Sequence, residues 1–176
     1  MNRSRRQFLR LGGGVVATLS LPPAAGSAND IVEIRMQGRK DGSHVWFDPI
    51  GVQIEPGQLI RWINGDPGNS HTSTVYHPEK FNRPLRMPRT AEPWDSDYLL
   101  PNEAFTAKLT VPGVYDYYCH PHEHAGMVGR IVVGTPSRQS WINLPNGMGE
   151  GALPLAAINA LPSVEEILQK GIVRQS

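Results

Sequence analysis

Cysteine is almost missing: Cys119 is the only one among 176 residues. A disulfide within the chain is thereby excluded, and so is any zinc or iron–sulfur site built from several thiolates. An excess of one charge is missing too, since 17 Lys and Arg face 16 Asp and Glu, for a formal net charge of +1. With no basic run outside the extreme N-terminus, nucleic-acid binding is excluded as a function class. No apolar run reaches the ~18 residues that a membrane-spanning helix needs. Charged residues make up only 19% of the chain, whereas Gly and Pro number 18 and 16. That balance speaks against a helical bundle and for a turn-rich, all-β chain. Apolar residues recur throughout at strand-like spacing, which excludes a disordered polypeptide. The length suffices for one domain with a substantial core and falls short of two ordinary ones.

The N-terminus reads as an address label. Ser4-Arg5-Arg6-Gln7-Phe8-Leu9-Arg10 precedes a weakly apolar stretch from Leu11 to Leu21, and the small residues Gly26 and Ala28 follow. An Arg pair followed by Phe-Leu resembles a twin-arginine export signal, here assigned to residues 1–28 with a periplasmic destination. No cysteine lies near the cleavage point, so no lipid anchor and no stable membrane insertion are expected. Removal of residues 1–28 takes four arginines and no acids, leaving 13 basic against 16 acidic residues and a mildly acidic mature chain.

From Asp30 to Val133 the sequence reads as successive short strands. Val32, Ile34 and Met36 alternate with Glu33 and Arg35, the period of a half-buried strand. Val52 and Ile54 lead into the turn Glu55-Pro56-Gly57-Gln58, after which Leu59, Ile60, Trp62 and Ile63 form another run. Residues 105–111, the Pro112-Gly113 turn and residues 114–119 read as a hairpin-like pair, and Ile131 to Val133 closes the series. Evenly spaced strands with Pro-Gly turns indicate a β-sandwich. Two stretches break the rhythm. Residues 77–104 hold five prolines with mixed charges and are expected to form a long irregular surface insertion with room for a helical turn. The tail from 135 to 176 is rich in Gly, Pro and Asn before Ser163-Val164-Glu165-Glu166, a capping box that opens a short helix ended by Gly171. That helix is expected to pack on the sandwich edge.

One stretch carries the chemistry: Cys119-His120-Pro121-His122-Glu123-His124-Ala125-Gly126-Met127. A thiolate, an imidazole and a thioether on one tight loop offer soft, trigonal-plus-axial donors. Such a set suits a redox copper ion, because thiolate holds Cu(I), imidazole tolerates both oxidation states, and a long axial Met tunes the potential. A second imidazole must come from elsewhere. His71, just after the Leu59–Asn64 run, is the natural candidate.

These residues resemble the cupredoxins, or type 1 blue copper proteins, and within them the plastocyanin/pseudoazurin branch. The likeness rests on Tyr118-Cys119-x-Pro121-His122-x-x-Ala125-Gly126-Met127-Val128-Gly129, with two residues between Cys and His and four between His and Met. It extends upstream through Phe47-x-Pro49, Val52-x-Ile54-x-Pro56-Gly57, Trp62-x-Asn64, Glu103-x-Phe105 and Gly113-x-Tyr115-x-Tyr117. The resemblance implies a Greek-key β-sandwich over residues 29–134, one type 1 copper ion, and His71, Cys119, His122 and Met127 as its ligands. It further implies that His122 lies near the surface within an apolar patch including Pro121 and Gly126. Thr72 departs from the Asn that usually follows the first ligand and ties the two ligand loops together.

An exported carrier of single electrons follows as the expected function, working by Cu(II)/Cu(I) exchange with transient redox protein partners, as a monomer. Two alternatives stand beside it: a copper-delivery protein that does not cycle its metal, and a copper subunit fixed to a larger exported oxidoreductase through its tail. A second, catalytic copper centre would need distant His pairs, and His44 and His77 are the only spares. No enzymatic activity is therefore expected, and His120 and His124 are read as solvated loop residues.

Overall fold

The computed structural model describes residues 31–175; the export segment expected over residues 1–28 lies outside the described residues. Among these residues nine strands form in the order β1 Ile31–Gly38, β2 Val45–Asp48, β3 Gly51–Ile54, β4 Leu59–Asn64, β5 Thr74–Val75, β6 Ala104–Lys108, β7 Gly113–Tyr118, β8 Val128–Val133 and β9 Ile172–Val173. Two helices, α1 Leu155–Ala160 and α2 Val164–Lys170, precede the last strand. One sheet runs β2-β1-β4-β6 and the other β5-β7-β8-β3-β9. The pairings β1–β4 and β3–β8 are parallel and the others antiparallel. The expected Greek-key sandwich is thus present. Its core holds Ile34, Met36, Phe47, Ile60, Trp62, Tyr115, Tyr117 and Ile131, all fully buried between the sheets. No helix among the described residues is long and apolar enough to cross a membrane.

Two expectations fail in instructive ways. The runs on either side of Pro112-Gly113 do not form a hairpin: β6 pairs with β4 in one sheet, and β7 pairs with β8 in the other. The chain stays beside β4 through Leu109, which donates its N–H to Gln58 and accepts from Gly57, and then crosses the sandwich. Gly113 starts β7 at φ +154°, with Pro88 packed where a Cβ would stand. The insertion, moreover, is irregular as expected but reaches into the core and forms no helical turn. Its Met87, Trp94 and Leu99 are buried in the core. Residues 94–99 run as an irregular antiparallel partner to 71–75, through Val75 N–H to the Trp94 carbonyl, Ser96 N–H to Ser73, and mutual bonds between His71 and Leu99.

The tail covers a face with its helices and extends an edge with β9, which pairs with β3. Ser163 caps α2 by accepting the Glu166 N–H, and Gly171 ends it at φ +73°, as the sequence predicts. Val164 and Ile167 then pack on Val114, Val132 and Ile50 at the outer surface of the second sheet. The helix α1, unforeseen in the sequence, seats Ala157 beside Tyr76, Tyr118 and Val128. Every residue of β7 is consequently buried. The outward Asp116 sits between Arg86 of the insertion and Arg130 of β8, bonded to both at 2.7–2.9 Å. Arg86 also donates to the Leu144 and Pro145 carbonyls and to Asn146, and Arg130 donates to the Pro162 carbonyl. One buried carboxylate thereby fastens both irregular segments to the sandwich.

Candidate metal centre

Three donor atoms meet at one end of the sandwich. The loop leaving β4 is shaped by the fully buried Asn64, whose amide donates to the Asn69 and Leu99 carbonyls while its oxygen accepts the Asp66 N–H. That loop delivers His71, whose backbone is clamped in both directions by Leu99 of the insertion. The second loop follows β7. Cys119 N–H donates to the Met127 carbonyl and Met127 N–H to that of His122, while residues His120–Ala125 form a short 3₁₀ turn. Gly126 closes that turn at φ +80°, in the left-handed region glycine favours.

The geometry leaves a metal-sized gap. His71 Nδ1 and His122 Nδ1 are 3.2 Å apart, and the Cys119 Sγ is 3.5 Å from the first and 3.4 Å from the second. For a triangle with those edges the centre lies ~1.9 Å from each corner, close to the ~2.0–2.3 Å of metal–nitrogen and metal–sulfur bonds. His71 and Cys119 are fully buried, and His122 is partly exposed. Met127, also fully buried, shares the core cluster of Cys119. Among the described residues these two histidines and the cysteine are the one group of His, Cys, Asp or Glu side chains placed to hold a metal ion.

Electrostatics favour neutral imidazoles here. Burial lowers the pKa of His71 against the opposing pull of Asp66, and burial followed by the neighbouring His71 lowers that of His122. Both rings therefore offer lone pairs. Burial pushes the Cys119 thiol up to about 12, despite the N–H groups of Thr72 and His122. A metal ion taken up here displaces that proton, so loading is coupled to proton release. The donor set thus fits a soft, borderline ion such as copper.

Thr72 links the two loops in place of Asn. Its hydroxyl accepts the His120 N–H at 2.8 Å and its own N–H points at the Cys119 Sγ at 3.3 Å. His120 and His124 are exposed, and the His120 ring stacks on Phe81 at 4.2 Å. His44 and His77 lie outside the cluster. Gly126 corrects an expectation: it is buried, with the Ala156 carbonyl and Ala160 of α1 directly over it, so only Pro121 of the expected pair is exposed. Sequence reasoning passed over Asp66, whose Oδ2 lies 3.0 Å from His71 Nε2. An acidic residue in the Asp-Pro-Gly-Asn turn five positions before the histidine was the available signal.

The sequence profile of "Copper binding proteins, plastocyanin/azurin family" matches residues 33–134. The chain belongs to that family. Copper is the cofactor of this cupredoxin, and electron transfer is its role. The plastocyanin of Tetradesmus obliquus is 34% identical over 131 residues, 74% of this chain and 83% of that one. The plastocyanin of Chlamydomonas reinhardtii is 32% identical, covering 76% and 86% respectively. Among solved structures, a pseudoazurin from Sinorhizobium superposes with a TM-score of 0.54 at 26% identity, over 81% of this chain and 99% of its own. A pseudoazurin from Methylobacterium extorquens AM1, at 22% identity and a TM-score of 0.52, shares the fold.

Proposed function

We propose that this cupredoxin is an exported carrier that passes single electrons between transient redox partners and is not an enzyme, with His71, Cys119, His122 and Met127 as its copper ligands. When bound, copper supplies a one-electron Cu(II)/Cu(I) couple. The observation that carries the reading is the triangle of two neutral imidazole nitrogens and one sulfur, whose centre lies at bonding distance from all three. Cys119 would supply the thiolate, His71 and His122 the two nitrogens, and the buried Met127 a thioether sulfur.

The protein's part is to hold those donors still. Leu99 fixes His71 from the insertion, and Thr72 ties the first loop to the second. The backbone bonds among Cys119, His122 and Met127 close the second loop on itself. Donors fixed this way need little movement when the centre changes charge, which keeps the reorganisation cost low. His122 is the donor nearest to solvent, on a loop with Pro121, His120 and His124 exposed, so a partner docking there reaches the centre through one imidazole. Such docking needs to be small and short-lived, since a carrier must release its partner.

Full burial of Cys119 favours a carrier over a delivery protein, because no incoming ligand reaches the sulfur to take the metal. Repeated redox titration of the copper-loaded protein tests the point. A carrier returns to the same oxidised spectrum with its copper retained; copper lost at each reduction supports delivery instead. The tail is engaged on its own sheet, which speaks against its being an attachment to a larger oxidoreductase. Export rests on the Arg5-Arg6 pair and its flanking residues. Replacing both arginines by lysine is expected to leave the precursor in the cytoplasm, and undiminished export of that variant would contradict a twin-arginine route.

A further inference from the structure

The two histidines of the cluster are supported differently. Among the described residues, His122 has only its Nδ1 engaged with protein groups, in contacts to His71 and Cys119. His71 has both nitrogens engaged: Nδ1 faces Cys119 and His122, and Nε2 lies 3.0 Å from the Oδ2 of Asp66, with both side chains almost completely buried. The carboxylate is itself held in place. Its Oδ2 also accepts the Asn69 amide at 2.9 Å, its Oδ1 accepts the Gly68 N–H at 2.9 Å, and its backbone N–H donates to Asn64. Both oxygens of the carboxylate thus accept from N–H donors other than the imidazole.

Resting on the ligand set proposed above, we infer that Asp66 is a positioning residue for the copper centre, fixing the tautomer of His71 and lowering the reduction potential through that imidazole. An ionised carboxylate only accepts hydrogen bonds, so the ring nitrogen beside it carries the proton. The proton therefore sits on Nε2 and the lone pair of Nδ1 faces the gap. A carboxylate behind a metal-binding imidazole makes the ring a stronger donor and fixes its orientation. It also places a negative charge one ring away from a centre that gains a positive charge on oxidation. Both effects favour the oxidised state. A role confined to bracing the loop through Gly68 and Asn69 would not distinguish the two oxidation states.

The test uses Asp66→Asn, whose amide oxygen still accepts from Nε2 while the charge is gone. Copper affinity is measured in both oxidation states, with the potential read by voltammetry. The blue colour is expected to persist, with Cu(II) binding weakened about tenfold more than Cu(I) binding, within the ~10–100-fold typical of lost outer partners. By linkage the potential then rises by the same factor, about 59 mV for a one-electron couple. An unchanged or lowered potential in a blue Asp66→Asn protein would overturn the inference and leave a loop brace. Nitrogen NMR of the metal-free native protein adds a readout independent of the variant. It is expected to show His71 protonated on Nε2, and protonation on Nδ1 would overturn the assignment. Failure of the native protein to turn blue with copper would instead overturn the ligand set itself.

Discussion

Along β7 the side chains alternate between two buried environments of opposite character. Tyr115, Tyr117 and, just past the strand, Cys119 enter the core between the sheets, an apolar space that ends in two neutral imidazoles. Val114, Asp116 and Tyr118 face outward into a layer built by the insertion and the tail, where a carboxylate lies between two guanidinium groups. On the inner side the buried groups keep lone pairs free, because an ion is to be held there. On the outer side the buried carboxylate is answered by two guanidinium groups. Buried ion networks of this kind contribute little net stability relative to apolar packing, yet removing one partner is costly because the others are left uncompensated. The bonds from Arg86 to residues 144–146 and from Arg130 to Pro162 suggest what the network specifies: the register in which the tail docks.

If the two sides are independent, damage to one should leave the other intact. Asp116→Ala is expected to have the largest effect on stability, a loss of ~3–5 kcal/mol, with the copper spectrum of the folded protein unchanged. Denaturant unfolding followed by fluorescence and by copper absorption checks both halves of that statement. A loss below about 1 kcal/mol would mean that apolar contacts alone hold the appended layer. The same residue sets an acid limit. Burial opposes its ionisation, but Arg130 and Arg86 hold the Asp116 carboxyl below the ordinary value. A depressed folded-state pKa contributes stability that is complete above the unfolded value of ~3.9 and is lost as pH falls from there through the folded value. The native protein should therefore lose stability below about pH 4, and Asp116→Ala should lack that contribution to the loss.

Ile167→Ala strikes the apolar part of the outer layer, where Ile167 is fully buried with Val114 and Val132. A cost of about 3 kcal/mol is expected, again without spectral change. Thr72→Val addresses the inner side. It preserves shape but removes the acceptor of the His120 N–H, at an expected cost of only ~1 kcal/mol because His120 is exposed to water. Its signature is faster copper loss to a chelator at unchanged colour. An unaltered release rate would show that Thr72 does not couple the two loops.

The meeting of Cys119 and His122 was legible because its information is local: three donor types within nine residues, at a spacing that a short turn can close. The capping box of α2 was legible for the same reason. What escaped depends on partners far apart in sequence. The Pro112-Gly113 segment looks like a hairpin turn, yet pairing was decided by β4 and β8 rather than by the turn. Residues 77–104 lack strand periodicity because unevenly spaced residues, Met87, Trp94 and Leu99 with Leu85 and Ala91 beside them, reach the core while the backbone of 94–99 follows residues 71–75 irregularly. The six-residue α1 has no side-chain cap and is stabilised by packing on Tyr118 and Gly126. One signal was present and unread: Asp116 stands amid Val114, Tyr115, Tyr117 and Tyr118, and a charge within a strand so apolar needs a buried partner on the other face.

The central claim is that Cys119 joins His71 and His122 around one copper ion, while the fold stands on contacts elsewhere. Its most direct test is the visible absorption of the oxidised, copper-loaded protein beside that of Cys119→Ser. The native chain is expected to bind one copper ion and show intense blue absorption from thiolate-to-copper charge transfer. The serine variant should keep the circular dichroism of the folded sandwich and lose that band entirely; a Cys119→Ser protein that remained blue would contradict the account.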